Sequence, residues 1–169
     1  MTTVHWHGMK LPAYSDGGPH SPIEVGKTWK PEWEIIQPAA TLWYHPHPHM
    51  ATATHAYRGL AGMFLIGDDV ADDLDLPQDY GVDDIPVVIM DAKFTDDGQI
   101  DEKSDNTLGL LGTTPLVNGI TNARFDATTR RVRLRLLNGA SMRFYTLELS
   151  NGPFHVIATV SYTHLRAHE

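Results

Sequence analysis

Cysteine is absent from all 169 residues. No disulfide can brace the chain, and thiols reveal nothing about its redox compartment. A blue copper centre is also excluded, because it needs a cysteine thiolate beside its histidines and weak axial ligand. Basic residues are few, 13 against 21 acidic ones, giving a net charge of −8. That balance argues against nucleic acid or an anionic lipid surface as the main partner and favours the approach of cations. No stretch approaches the roughly 20 apolar residues of a membrane-spanning helix, which argues against membrane insertion.

Histidine is not scarce, and it is clustered. His5-Trp6-His7-Gly8 and Trp43-Tyr44-His45-Pro46-His47-Pro48-His49 hold five of the ten histidines. In an extended strand, residues i and i+2 share a face, with Cβ atoms roughly 6.5–7 Å apart. His5 and His7 therefore project together, as do His45 and His47. The gap is wide for two rings closing on one ion and suits rings reaching neighbouring ions of a cluster. Imidazole without thiolate or dense carboxylate favours copper, zinc, iron or nickel over magnesium or calcium. A His-Pro-His-Pro-His run can also be an exposed, adventitious metal tract. Its place between an apolar strand and the Gly-rich, apolar segment 59–66 favours a built site.

The pattern resembles the multicopper oxidases, a family that includes laccases, bilirubin oxidases and bacterial cuprous oxidases. Thr3-Val4-His5-Trp6-His7-Gly8 is similar to its first copper motif, and Trp43-Tyr44-His45-Pro46-His47 to its second. Asp16-Gly17-Gly18-Pro19, Gln37-Pro38-Ala39-Ala40-Thr41 and Gly59-Leu60-Ala61-Gly62 follow in the family's order. Asp84-Ile85-Pro86-Val87-Val88 and Leu134-Arg135-Leu136-Leu137-Asn138-Gly139 resemble the opening of its second domain. The resemblance runs over residues 2–159 and is strongest to the periplasmic cuprous-oxidase branch.

The resemblance implies roles. His5 matches a ligand of the type 2 copper, and His7, His45 and His47 match ligands of the type 3 copper pair. In the family the three coppers reduce dioxygen to water with electrons from a reducing substrate such as copper(I) or phenols. Asp16 matches an acidic residue that relays protons, which the reaction consumes. An aspartate in a Ser-Asp-Gly-Gly-Pro turn also has ordinary local uses. His49 is expected beside the metal or on the surface, not as a ligand. His20, His55 and His155 are expected to be ordinary polar residues. The type 1 copper and the other four cluster ligands belong to a third domain in the family. The six methionines form no copper(I)-gathering cluster. A related copper nitrite reductase would carry its cysteine near the second motif, which this chain lacks. A non-catalytic copper-binding or copper-resistance protein remains the alternative.

By the same resemblance the fold is all-β, with Greek-key cupredoxin-like β-sandwiches. Residues 1–67 are expected to be the C-terminal part of one such domain and 85–159 the N-terminal part of a second. The connector 68–84 holds eight aspartates in its span to Asp84 and no basic residue, the composition of a solvated linker. The chain is thus expected to be a fragment of an exported, monomeric three-domain protein. The segment 160–169 resembles read-through of a sequencing adapter, so His164 and His168 are set aside. Strands are expected at Thr2–His7, Trp29–Gln37, Thr41–His45, Leu60–Ile66, Arg131–Leu137, Phe144–Leu149 and Phe154–Thr159, from β-branched and aromatic content. Ala51–Tyr57 is the expected helical turn. In the 131–137 strand, Val132, Leu134 and Leu136 alternate with arginines, which predicts leucines inward and arginines in solvent.

Overall fold

The structure, a computed structural model, describes residues 1–103 and 109–159. The adapter-like segment 160–169 lies outside them.

Among the described residues, six strands fall into two three-stranded sheets. The first contains β1 (His5–His7), β2 (Ala40–His45) and β3 (Gly62–Ile66), all antiparallel, with β2 in the centre. The second contains β4 (Asp84–Ala92), β5 (Thr114–Val117) and β6 (Arg133–Asn138). Here β4 is central, antiparallel to β5 and parallel to β6. A 3-10 turn (Ala13–Ser15) and two short helices, α1 (Thr52–Tyr57) and α2 (Asp69–Asp72), complete the described elements.

Period-two alternation explains the first sheet. His5 pairs with His45 and His7 with Trp43, which leaves Trp6 opposite Tyr44 on the other face. There Trp6 packs edge-on to Tyr44 and Phe64 and lies over Trp29 and Trp33. The segment 29–37 therefore meets the sheet through its indole rings and forms no strand, contrary to its aromatic-rich composition. Gly62 is required where β3 passes Tyr44, since a Cβ there would overlap the phenol ring.

The second sheet departs further from the sequence pattern. β4 carries a nearly continuous apolar run, so it has no alternation to mark it as a strand. Pro86 is tolerated in this central strand because β5 pairs only with Ile89–Ala92. At that open edge the Asn118 side chain donates to the Pro86 carbonyl and accepts from Val88 N–H. The faces of β6 are the reverse of those expected. The Arg135 side chain is only 12% exposed and the Arg133 side chain is similarly enclosed, whereas Leu134 and Leu136 are exposed. Buried Asp84 causes the reversal: its two carboxylate oxygens accept from Arg135 Nε and Nη2. Phe144–Leu149 and Phe154–Thr159 form no strands, and Phe144 is almost wholly exposed.

Contacts between the sheets are specific. Tyr57, at the end of α1, is buried with Met90, Ala92, Leu110 and Leu116 of the second sheet and its lead-in. Its phenol oxygen accepts from Lys93 N–H at 2.7 Å. Arg135 also reaches Thr41 Oγ1 on β2, at 2.6 Å. Asp68 caps α2 by accepting from Ala71 N–H and holds the start of β2 by accepting from Ala39 N–H. The acidic connector thus contains a capped helical turn, and Asp84 is the first residue of β4. Among the described residues, no helix is long and apolar enough to cross a membrane.

Candidate metal centre

β1 and β2 place three imidazoles on one face. A ligand nitrogen from each of His5, His7 and His45 lies within 4.8 Å of the others. His47 follows the end of β2, redirected by Pro46. Its ring centroid is 5.4 Å from that of His5 and 5.8 Å from that of His45. It borders the three without sharing their common donor set. The sequence-predicted histidines therefore converge, with three tightly grouped and His47 adjoining.

The hydrogen bonds fix which nitrogens carry protons. His45 Nδ1 lies 2.9 Å from the Pro46 carbonyl, which can only accept. That nitrogen is therefore protonated, and Nε2 keeps its lone pair toward the cluster. His7 Nδ1 is 3.1 Å from this Nε2 and so donates to it. His5 Nδ1 faces two acceptors, the carbonyl and the carboxylate Oδ1 of Asp16, each at 3.1 Å. Anchoring one ring nitrogen on an oxygen while the other faces the metal is the usual outer arrangement of ligating histidines.

Burial favours the neutral form of His45 and His7. Desolvation is the largest cause lowering the pKa of His45, opposed by the Pro46 carbonyl and reinforced by His5, His7 and His47. His7 is lowered by burial first, then by His5 and His47, against a raising effect of Asp16. Neutral imidazole is the form that binds metal. Trp43 closes the site from the strand side, with its ring centroid 4.3 Å from that of His45 and stacked on His7.

Asp16 reaches the site because the 3-10 turn packs under β1, where Trp6 N–H donates to the Asp16 carbonyl. Gly17 makes this approach possible. It has φ +70°, and a Cβ there would collide with the Val4 carbonyl. His49, His20 and His155 are exposed, and His55 is bonded to Thr2 Oγ1. Sequence reasoning missed Thr3, which is 2% exposed and accepts from His47 N–H through Oγ1 at 2.6 Å. Its signal was available, since residues 3, 5 and 7 share a face in an extended chain.

Comparison with known proteins addresses what such a site belongs to. A family model described as multicopper oxidase matches residues 1–70. The chain is 42% identical over 159 residues to the multicopper oxidase mco of Staphylococcus epidermidis, covering 94% of this chain and 35% of that protein. The structure of a laccase-like multicopper oxidase, CueO from Ochrobactrum sp., superposes with a TM-score of 0.76 at 43% identity. That match covers 82% of this chain and 32% of the other.

The chain belongs to the multicopper oxidase family. Its strands follow the cupredoxin-like architecture of those relatives. It spans about a third of the length of the curated relatives it matches. One further relative, from Xenorhabdus nematophila, is a cell division protein, FtsP, 42% identical over 153 residues. That match covers 90% of this chain and 32% of FtsP. Likeness of this degree therefore extends to a protein named for a different role, and the histidines decide the function. Copper, which the family implies, fits them: the donor set is imidazole, grouped and partly buried, with no competing thiolate.

Proposed function

We propose that this chain contributes four histidine ligands, His5, His7, His45 and His47, to the trinuclear copper cluster of a multicopper oxidase. In this reading His5 holds the type 2 copper, and the other three hold the type 3 pair. The remaining ligands and the type 1 copper lie in a further part of the protein. Copper bound here supplies one-electron redox chemistry that couples oxidation of copper(I) or a phenol to reduction of dioxygen to water. The chain's own residues do the rest. Pro46 and Asp16 orient two of the rings, Trp43 covers them, and Asp16 hands on protons beside His5. Export, to the periplasm or an equivalent compartment, accompanies this reading.

The observation that carries the proposal is the convergence of His5, His7 and His45 within 4.8 Å with their protons directed away from a common centre or shared within it. A relative that holds no copper at these histidines, with a role such as the cell division named for FtsP, is the second reading. Equilibrium dialysis of the chain against copper(II) separates them. Saturable copper uptake that His7→Ala and His45→Ala each weaken by 10-fold or more, while His49→Ala does not, is expected, about the loss for a removed ligand interaction of 1.4 kcal/mol or more. Uptake indifferent to His7→Ala and His45→Ala overturns the oxidase reading.

A further inference from the structure

His47 stands in an unusual backbone setting. β2 ends at His45, so no ladder bond holds His47. Its neighbours are Pro46 and Pro48, neither of which has an N–H. Across these three residues the His47 amide is the only backbone donor. Pro46 is buried, with relative exposure below 2%, so the segment is enclosed by protein at that point. An amide partly enclosed in this way is costly to leave without an acceptor. The acceptor is the Thr3 hydroxyl, at 2.6 Å.

Thr3 is itself fixed. Thr2 pairs with Ile23 through reciprocal backbone bonds of 3.2 and 2.7 Å, which set the strand entering β1. Two residues after Thr3 comes His5, on the same face by the period-two rule. One short span therefore carries both a candidate ligand and the hydroxyl that secures another candidate ligand 44 positions away. Valine at this position would match threonine in shape but offer no acceptor. Serine would keep the acceptor.

We infer that Thr3 is a positioning residue of the metal centre: its hydroxyl clamps the His47 amide and so sets where the His47 ring stands relative to His5 and His45. This rests on the copper reading above for its functional meaning, while the clamp itself is testable without metal.

Two measurements on the full 169-residue chain decide it. The first is amide hydrogen exchange of metal-free protein, read at His47 by NMR. Strong protection is expected, and exchange at the rate of a free amide overturns the clamp. The second compares copper(II) affinity and the nitrogen couplings in the EPR spectrum for Thr3→Val and Thr3→Ser. Thr3→Val is expected to lower affinity by about 10–100-fold, as loss of an outer partner does, and to alter the couplings. Thr3→Ser is expected to restore both. A folded Thr3→Val protein with unchanged affinity and spectrum overturns the positioning role. If Thr3→Val does not fold, the exchange result and the Thr3→Ser spectrum decide. Copper uptake indifferent to His7→Ala and His45→Ala, in a chain that protects the His47 amide, refutes the copper reading and leaves the clamp standing.

Discussion

His7 Nδ1 and His45 Nε2 face each other at 3.1 Å and share a single proton. Protonating the acceptor would set two N–H groups against each other in a site that is already partly desolvated. Acid and metal therefore compete for the same lone pair.

The pH dependence of folding follows from this pair. Burial first, and neighbouring rings second, lower both pKa values in the folded protein. In the unfolded chain histidine titrates near 6.5. The unfolded state thus takes up protons first as pH falls, so the stability of the metal-free protein is full above about pH 6.5 and declines below it. Urea midpoints at pH 7.5 and 5.5 should show this loss. It should shrink in His45→Gln, and an unchanged slope in that variant would show that the pair is not its source.

Gly17→Ala is expected to be strongly destabilising. The left-handed backbone costs an alanine about 1–2 kcal/mol, and its Cβ would also run into the Val4 carbonyl. The chain can relieve that overlap only by moving the turn away from β1, which takes Asp16 from His5. Denaturant unfolding should show a loss above 2 kcal/mol, roughly the conformational cost plus overpacking. A near-neutral result would mean that the turn is not pressed against the strand.

Asp84→Asn tests the bond between the sheets. Asp84 is 4% exposed and receives two bonds from Arg135, which also reaches Thr41 on β2. Removing one partner of a buried pair typically costs about 3–5 kcal/mol, since the other charge is left unmatched. A fall of that order is expected in urea unfolding, and replacing Asp84 and Arg135 together by apolar residues should recover part of it. A single-variant loss under about 1 kcal/mol, the range of an exposed pair, would contradict the burial.

The histidines were legible because β1 and β2 are extended and antiparallel, so spacing in sequence became proximity in space. His5 opposite His45 could not be read, because register depends on pairing across 40 residues. Leu134 and Leu136 misled for a physical reason. Alternation fixes which residues share a face but not which face is covered, and Asp84 draws the arginine face inward. Trp29 and Trp33 read as strand formers, yet their rings serve to cover Trp6. β4 was hidden by its uniform apolarity. The proton arrangement at the site depends on the carbonyls of Pro46 and Asp16, and no side-chain pattern announces a carbonyl.

Crystals of the chain soaked in copper(II), with anomalous differences recorded at the copper edge, show which histidines take the metal. A leading peak is expected among the rings of His5, His7 and His45, lost in His45→Ala. A leading peak at exposed His49 or His20, with the three rings unaltered, would contradict it.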